Sequence, residues 1–491
     1  MRRGALVVGL AVSLLGGGAA LAGMRGQYGG ALRLAVPVAP QTLDPALVAT
    51  PAELVAAGLM FDTLVRLGGD GELRAGLAAV PESEANGRLF RFRLRPNLRF
   101  HDGSPATARE VVASLTRLDD SKLGSPFAAI ALPLAGAGEG GRVGLAAVND
   151  SEVQASLAFP YPDWPRALAH PGAALVRPAG ERLVGTGAFR PAAGKSAEAL
   201  QLVANDDCPL GRPFVDALRL LARNPRTVSR AVALGEADLA LVTGSSREGQ
   251  EGPALFATYL ALGERRLGAQ ARPLREAIVS SIDVAGLTRF FVRAPASPLY
   301  GLLPPALDPT APAGQRPATR PASLPPGGAL TLICDASNDD HRTVGERLQV
   351  KLHDFGVALA VKRLPRAELR EALRGGDYDL ALVSTAAIPE AGMALAQLVE
   401  LGAGREAARE LLREIGAGPD RETRSAIASA KAREWLERLP LVPLYVEVPR
   451  LVAREGISAI GFDSAGVPSI ADAWLTGAPA GEAKGKAPPQ R

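Results

Sequence analysis

At 491 residues, with 47% hydrophobic and 22% charged side chains, the chain is long enough for a two-lobed or multidomain fold and too apolar for wholesale disorder. A net charge of only +4, with 55 Lys and Arg against 51 Asp and Glu and no concentrated basic block, argues against a nucleic-acid partner. The two cysteines, Cys208 and Cys334, exclude a disulfide framework and a multi-cysteine metal site.

Residues 1–22 have the features of an export signal: Arg2 and Arg3, an apolar run from Ala5 to Leu15, and the small-x-small pattern Ala20-Leu-Ala22 before Gly23. An uncleaved anchor is the alternative, since residues 5–22 are just long enough to span a bilayer, but glycines 16–18 break the run and favour cleavage. No cysteine stands at the cleavage point, so there is no lipid attachment site.

In the body, alternation predicts a strand over 31–38 and helical spacing a helix over 53–67. Residues 89–95 alternate strictly, with Phe90, Phe92 and Leu94 on one face and Arg91, Arg93 and Arg95 on a solvated other face. Thr107-x-x-Glu110 is a capping box opening a helix. Residues 142–157 form a hairpin turning at 149–151, followed by strands at 200–203, 214–221, 237–242 and 258–262. Short helical spacing covers 228–234, and an amphipathic helix is expected over 274–287. The Pro-rich stretch 306–328 has no periodicity and is a loop. Strand, helix, strand, helix, strand at 330–334, 342–355, 357–364, 366–373 and 378–383 predict a βαβ lobe, with helices at 405–415 and 421–438 and a buried strand at 442–446 to follow. The tail 477–491 has no apolar face and is expected to be disordered.

Motifs for chemistry are few. Gly136-x-Gly138-x-x-Gly141 matches a dinucleotide fingerprint, but a strand rather than a helix follows it, so it is a glycine-rich loop tip. Gly194-Lys-Ser196 lacks the first glycine of a phosphate loop, Phe189 standing there instead. None of the four histidines has metal-ligand spacing, and no GxSxG elbow is present. His101-Asp102 belongs to a turn rather than to a catalytic pair.

Several segments, in order, resemble the bacterial extracellular solute-binding proteins of the oligopeptide, dipeptide and nickel class. They are GALRLAV at 30–36 with TLDPA at 42–46, MFDTLV at 60–65, FRFRLRPNLRFHDG at 90–103 running into PATAREVV at 105–112, VGTGAF at 184–189, REAI at 275–278, DYDL at 377–380 and PLVPLY at 440–445. The resemblance implies an α/β, two-lobed periplasmic-binding-protein fold of the class II type, with an extra subdomain inserted in the first lobe. The division it implies is a signal over 1–22, first lobe over 23–50, inserted subdomain over 51–182, first lobe again over 183–250, second lobe over 251–444, return to the first lobe over 445–476, and the tail. Function is then capture of a small or peptide-like ligand in the interlobe cleft for an ABC permease in the inner membrane. The protein is expected to be periplasmic and monomeric, with no cofactor, no metal and no catalytic residue. The ligand-lining residues expected are Thr42, Leu43, Tyr259, Ser337, Asn338, Thr385, Ala387, Ile388 and Glu390. A degenerate relative acting as a sensor or envelope module, and an exported hydrolase, are the alternatives.

One stretch departs from the family pattern. Where peptide binders carry a tryptophan and an aspartate that anchors the peptide amino terminus, STAAIPEA at 384–391 places Thr385 and Ala387. A buried ammonium without a partner is costly. Ordinary peptides are therefore expected to bind weakly, with Glu390 as the only carboxylate in the loop able to substitute.

Overall fold

The computed structural model describes residues 26, 28–138, 143–180, 182–192, 199–225, 227–243, 248–293, 296–311, 314, 329–354 and 356–476. The export signal, Gly194–Ser196, the end of the 136–141 glycine motif, most of the 306–328 loop and the tail lie outside the described residues.

Two sheets organise the chain. The first has seven strands, in the order Phe189–Pro191, Ala199–Ala204, Ala217–Ala222, Ala31–Val36, Leu239–Thr243, Pro449–Ala453 and Gln250–Glu251. Ala31–Val36 lies at its centre, parallel to both neighbours. It is buried from Leu34 to Val36, as an apolar strand covered on both faces must be. The second sheet has six strands, in the order Ala296–Pro298, Leu441–Glu447, Phe256–Leu262, Leu380–Ala386, Leu330–Asp335 and Leu359–Leu364. Its last three run parallel, and the helices Asp339–His353 and Arg366–Gly375 return the chain between them, which is the predicted βαβ lobe. Gly356 stops the first of these helices at φ +77°, a conformation open to glycine at little cost.

A four-stranded sheet, Ser83–Glu84, Leu89–Arg93, Glu152–Ser156 and Leu145–Asn149, forms within the segment that leaves the first sheet. Phe90 and Phe92 point inward onto Trp164, with ring centroids 5.8 and 6.1 Å away, while Arg91 faces Glu84 and Glu152. The capping box is present: Glu110 accepts from the Thr107 backbone N–H at 2.9 Å.

Two expected elements are corrected. The helix predicted over 53–67 is Pro51–Met60, and Val65–Leu67 is a strand paired with Leu73–Ala75, because tertiary pairing overrides the local period there. The helix predicted over 274–287 is two, Ala271–Ser281 and Val284–Phe291, since the Asp283 side chain accepts from Gly286 N and caps a new start. A helix not foreseen, Ala391–Ala403, is mostly apolar and buried without a break from Ala391 to Val399, so it carries little amphipathic signal. Together with Arg405–Gly416 and Arg421–Arg438 it packs on the four-stranded subdomain, and one apolar core runs from Phe90 and Trp164 through Met393 to Leu412.

Cys208 and Cys334 are both free and buried. Burial pushes their thiols up to about 12 and about 11. Native protein at pH 8 is expected to alkylate slowly and to show two titratable thiols once unfolded. Rapid labelling of either cysteine in the native state would contradict this placement.

Candidate functional site

The chain crosses between the two sheets twice, side by side. One crossing runs from Gln250–Glu251 to Phe256–Leu262, the other from Leu441–Glu447 to Pro449–Ala453, and Gly252 N donates to Pro449 O at 2.8 Å between them. Paired crossings of this kind make a hinge. The C-terminal ends of the parallel strands of the second sheet, at Asp335, Leu364 and Ala386, face the first lobe, where open α/β sheets present ligand sites.

Arg366 stands at this edge, directly after a strand end. Its Nη1 reaches Glu53 Oε1 of the first lobe at 2.5 Å, and its Nε reaches Asp335 Oδ2 of the second at 2.7 Å. Glu53 is fully buried at its side chain and also accepts the backbone N–H groups of Gln41 and Ala49 at 2.9 Å each. Asp335 accepts from the Ser337 backbone and hydroxyl at 2.8 and 2.7 Å. Burial alone would raise the Asp335 pKa, but the Ser337 hydroxyl and the Arg366 guanidinium outweigh it and hold the carboxyl low. Thr42, Leu43, Ser337 and Asn338 are therefore brought to one place, the two loops held together by the Glu53–Arg366–Asp335 chain. Leu43 is 37% exposed, whereas the Thr42 hydroxyl accepts from Asp44 N and Asn338 caps the helix behind it.

The other expected lining residues lie elsewhere, in the core shared by the second lobe and the subdomain. The Tyr259 hydroxyl donates to Leu302 O at 2.6 Å, the Thr385 hydroxyl accepts from Gln397, and Ala387 and Ile388 are buried. Glu390 accepts from Tyr161 Oη at 2.7 Å and caps its own helix at Gly392 N and Met393 N. A side chain at Gly392 would collide with that phenol, so the close approach requires glycine. Glu390 thus serves two structural tasks. Glu390→Ala is expected to cost about 2–4 kcal/mol, from the lost cap and the stranded phenol, as read by urea unfolding. Wild-type stability in that variant would show that the carboxylate is free for another role.

A second polar row crosses the sheet near the hinge. His341 Nε2 contacts Ser384 Oγ at 2.8 Å, and Ser384 Oγ contacts Thr258 Oγ1 at 2.7 Å. His341 Nδ1 has no hydrogen-bond partner among the described residues, and burial pulls the ring down to about 4. No carboxylate bonds the other ring nitrogen among the described residues, so the pair lacks the third member of a nucleophilic triad. Sequence reasoning missed Glu53, Arg366, His341 and Ser384, because only the fold places them at one edge. The faint signal for the last two was a polar residue inside an otherwise apolar strand or helix stripe.

Residues 72–404 match the model of the bacterial extracellular solute-binding proteins, family 5 Middle. The chain belongs to this family. The probable D,D-dipeptide-binding periplasmic protein DdpA of Escherichia coli is 24% identical over 385 residues, covering 70% of this chain and 72% of that protein. The periplasmic murein peptide-binding protein MppA of Escherichia coli is 39% identical over 89 residues, 18% of this chain and 16% of its own. Among solved structures, Haemophilus influenzae OppA complexed with RPPGFSPFR superposes with TM-score 0.74 at 16% identity, over 92% of this chain and 100% of that one. The Escherichia coli murein tripeptide-binding protein MppA gives TM-score 0.74 at 19% identity, over 91% and 98%. The fold is thus the two-lobed periplasmic-binding-protein type, and its family is one of solute binding rather than catalysis.

Proposed function

We propose that this family 5 protein is exported to the periplasm, captures one small peptide-like solute between its lobes and delivers it to an ABC permease in the inner membrane, acting as a monomer. The observation that carries the reading is the paired hinge crossing with Glu53, Arg366 and Asp335 joined across the two lobes at the strand ends. Closure needs contacts that differ between open and closed states, and a chain of charges that spans the two lobes is a contact of that kind. The names of the relatives, a D,D-dipeptide-binding and a murein peptide-binding protein, support a peptide-like class of ligand. The loop 384–391 supplies no free carboxylate to anchor an amino terminus, because Glu390 is committed to Tyr161 and its helix. We read Tyr259, Thr385, Ala387, Ile388 and Glu390 as supporting core, and the loops around Thr42 and Ser337 as the lining.

Capture predicts ligand-linked stability. A ligand at a hundred times its Kd adds about 2.7 kcal/mol to unfolding. Thermal melts of the purified protein with fractions of a host small-molecule extract and with a dipeptide and tripeptide library test this. At least one fraction is expected to raise the melting temperature by a few degrees. If no fraction and no peptide shifts it, the capture reading is wrong. N-terminal sequencing of the exported form is expected to begin near Gly23; intact Met1 in a membrane fraction would instead indicate an anchor.

A further inference from the structure

The strand Leu441–Glu447 is apolar through Val446 apart from the Tyr445 phenol, and it ends in a carboxylate at the hinge. Tyr445 and Glu447 point to the same face, as residues two apart on a strand do. Across the ladder Tyr445 stands opposite Thr258 and Pro298, and Glu447 opposite Phe256 and Ala296. The Glu447 carboxyl makes no hydrogen bond or ion pair among the described residues. Tyr445 is 1% exposed, and its phenol oxygen makes no hydrogen bond of good geometry among the described residues, although the Thr258 hydroxyl lies nearby. The Thr258 hydroxyl is itself bonded to Ser384 and through it to His341.

The charged and titratable groups around Glu447 are few. From the helix Asp339–His353 come Asp340, whose carboxylate is the charge that, after burial itself, pushes the Glu447 pKa up to about 8, and the neutral His341. After burial, the Glu447 and Asp340 carboxylates do the same to the Tyr445 phenol. From the segment after Val284–Phe291 comes Arg293, but its backbone N–H serves Asp340 and its guanidinium turns to Asp339 at 3.0 Å. The Arg293 guanidinium makes no ion pair with Glu447. No group of three His, Cys, Asp or Glu that could hold a metal ion occurs among the described residues. What the site lacks is a donor with positive charge that is not a metal.

We propose that Glu447, with Asp340 and the Tyr445 phenol, is the subsite for a cationic nitrogen of the captured solute, a primary ammonium or a guanidinium group. The assignment rests on the capture reading. It moves the recognition of a cationic end from the loop at 384–391, where Ala387 stands, to the hinge. Charged N–H donors match two carboxylates and a phenol oxygen, and a buried pair of this kind gives charge-assisted bonds that a neutral isostere cannot make.

The test is calorimetry on the mature full-length protein with agmatine, putrescine, and lysine- and arginine-containing dipeptides. Their charge-neutral counterparts, acetyl-lysine and citrulline dipeptides, and the host small-molecule extract are run in parallel. At least one cationic probe is expected to bind, with its neutral counterpart weaker by about 30-fold or more. Glu447→Gln is expected to produce the same loss, and Tyr445→Phe a smaller one. Glu447→Gln keeps the shape and replaces a carboxyl that burial already disfavours in its charged form, so it is expected to melt no lower than wild type; should it melt lower, the comparison of charged with neutral probes on wild type decides. Binding of solutes without a cationic nitrogen, undiminished in Glu447→Gln, overturns the subsite and leaves capture standing. Failure of every probe and of the extract to bind overturns both.

Discussion

Replacing Arg366 with alanine is expected to cost about 3–5 kcal/mol of unfolding free energy and to loosen the contact between lobes. Among the described residues the guanidinium is the one link between Glu53, whose side chain is fully buried, and Asp335, whose side chain is 10% exposed. Removing it leaves two carboxylates facing each other with no cation between them. Backbone donors at Gln41, Ala49 and Ser337 remain, which keeps the loss from being larger. Urea unfolding reads the stability, and small-angle scattering reads the opening as a larger radius of gyration. The pH dependence has a definite sign. Asp335 is held below its ordinary value in the folded state, so its contribution is complete above the ordinary carboxylate range and is lost as the pH falls through the folded value. Arg366→Ala is expected to flatten the acid limb of the stability profile. A loss below about 1 kcal/mol, the range of exposed pairs, would show that the lobes are held by something else.

Arg424→Met is expected to destabilise by a similar amount, about 3–5 kcal/mol, for a different reason. Arg424 meets Asp163 with two bonds, 2.6 and 2.9 Å long, and both side chains are about nine-tenths buried. This pair pins the helix Arg421–Arg438 to the subdomain beside Tyr161 and Glu390. Methionine fills the space of the arginine stem but strands the Asp163 carboxylate, close to the Glu390 carboxyl, whose pKa burial already raises and Asp163 raises further. The double variant Arg424→Met/Asp163→Leu is expected to recover most of the loss, because a buried ion pair costs much of what it returns. A double variant no better than the single one would mean that the arginine acts through its bond to Gly418 O or through packing.

Much of the fold was legible in local patterns. The alternation at Phe90, Phe92 and Leu94, the Thr107–Glu110 capping box and the strand–helix rhythm after residue 329 each depend on neighbours a few residues apart. The family landmarks at 42–46, 90–112 and 440–445 supplied the two-lobed fold that these pieces alone leave open. The elements that failed were those decided elsewhere in the molecule. The helix Ala391–Ala403 has little polar face because it is buried without a break from Ala391 to Val399, and the break at Ile282-Asp283 turns on a single cap. The candidate site was the least legible part. Glu53 and Arg366 are separated by 313 positions, and nothing in either segment names the other. Glu390, the carboxylate that local reading offered as an anchor, is taken by Tyr161, 229 positions away. A carboxylate with no partner, such as Glu447, is visible only once every neighbour has been placed.

The most direct measurement of the central claim is native mass spectrometry of the protein purified from its own host without denaturation. Capture predicts a mature chain carrying one small molecule, released intact on denaturation and absent from Arg366→Ala, with a cationic nitrogen in its composition. Bare polypeptide mass alone, in protein that host extract also fails to stabilise, would contradict the claim that the cleft binds a solute.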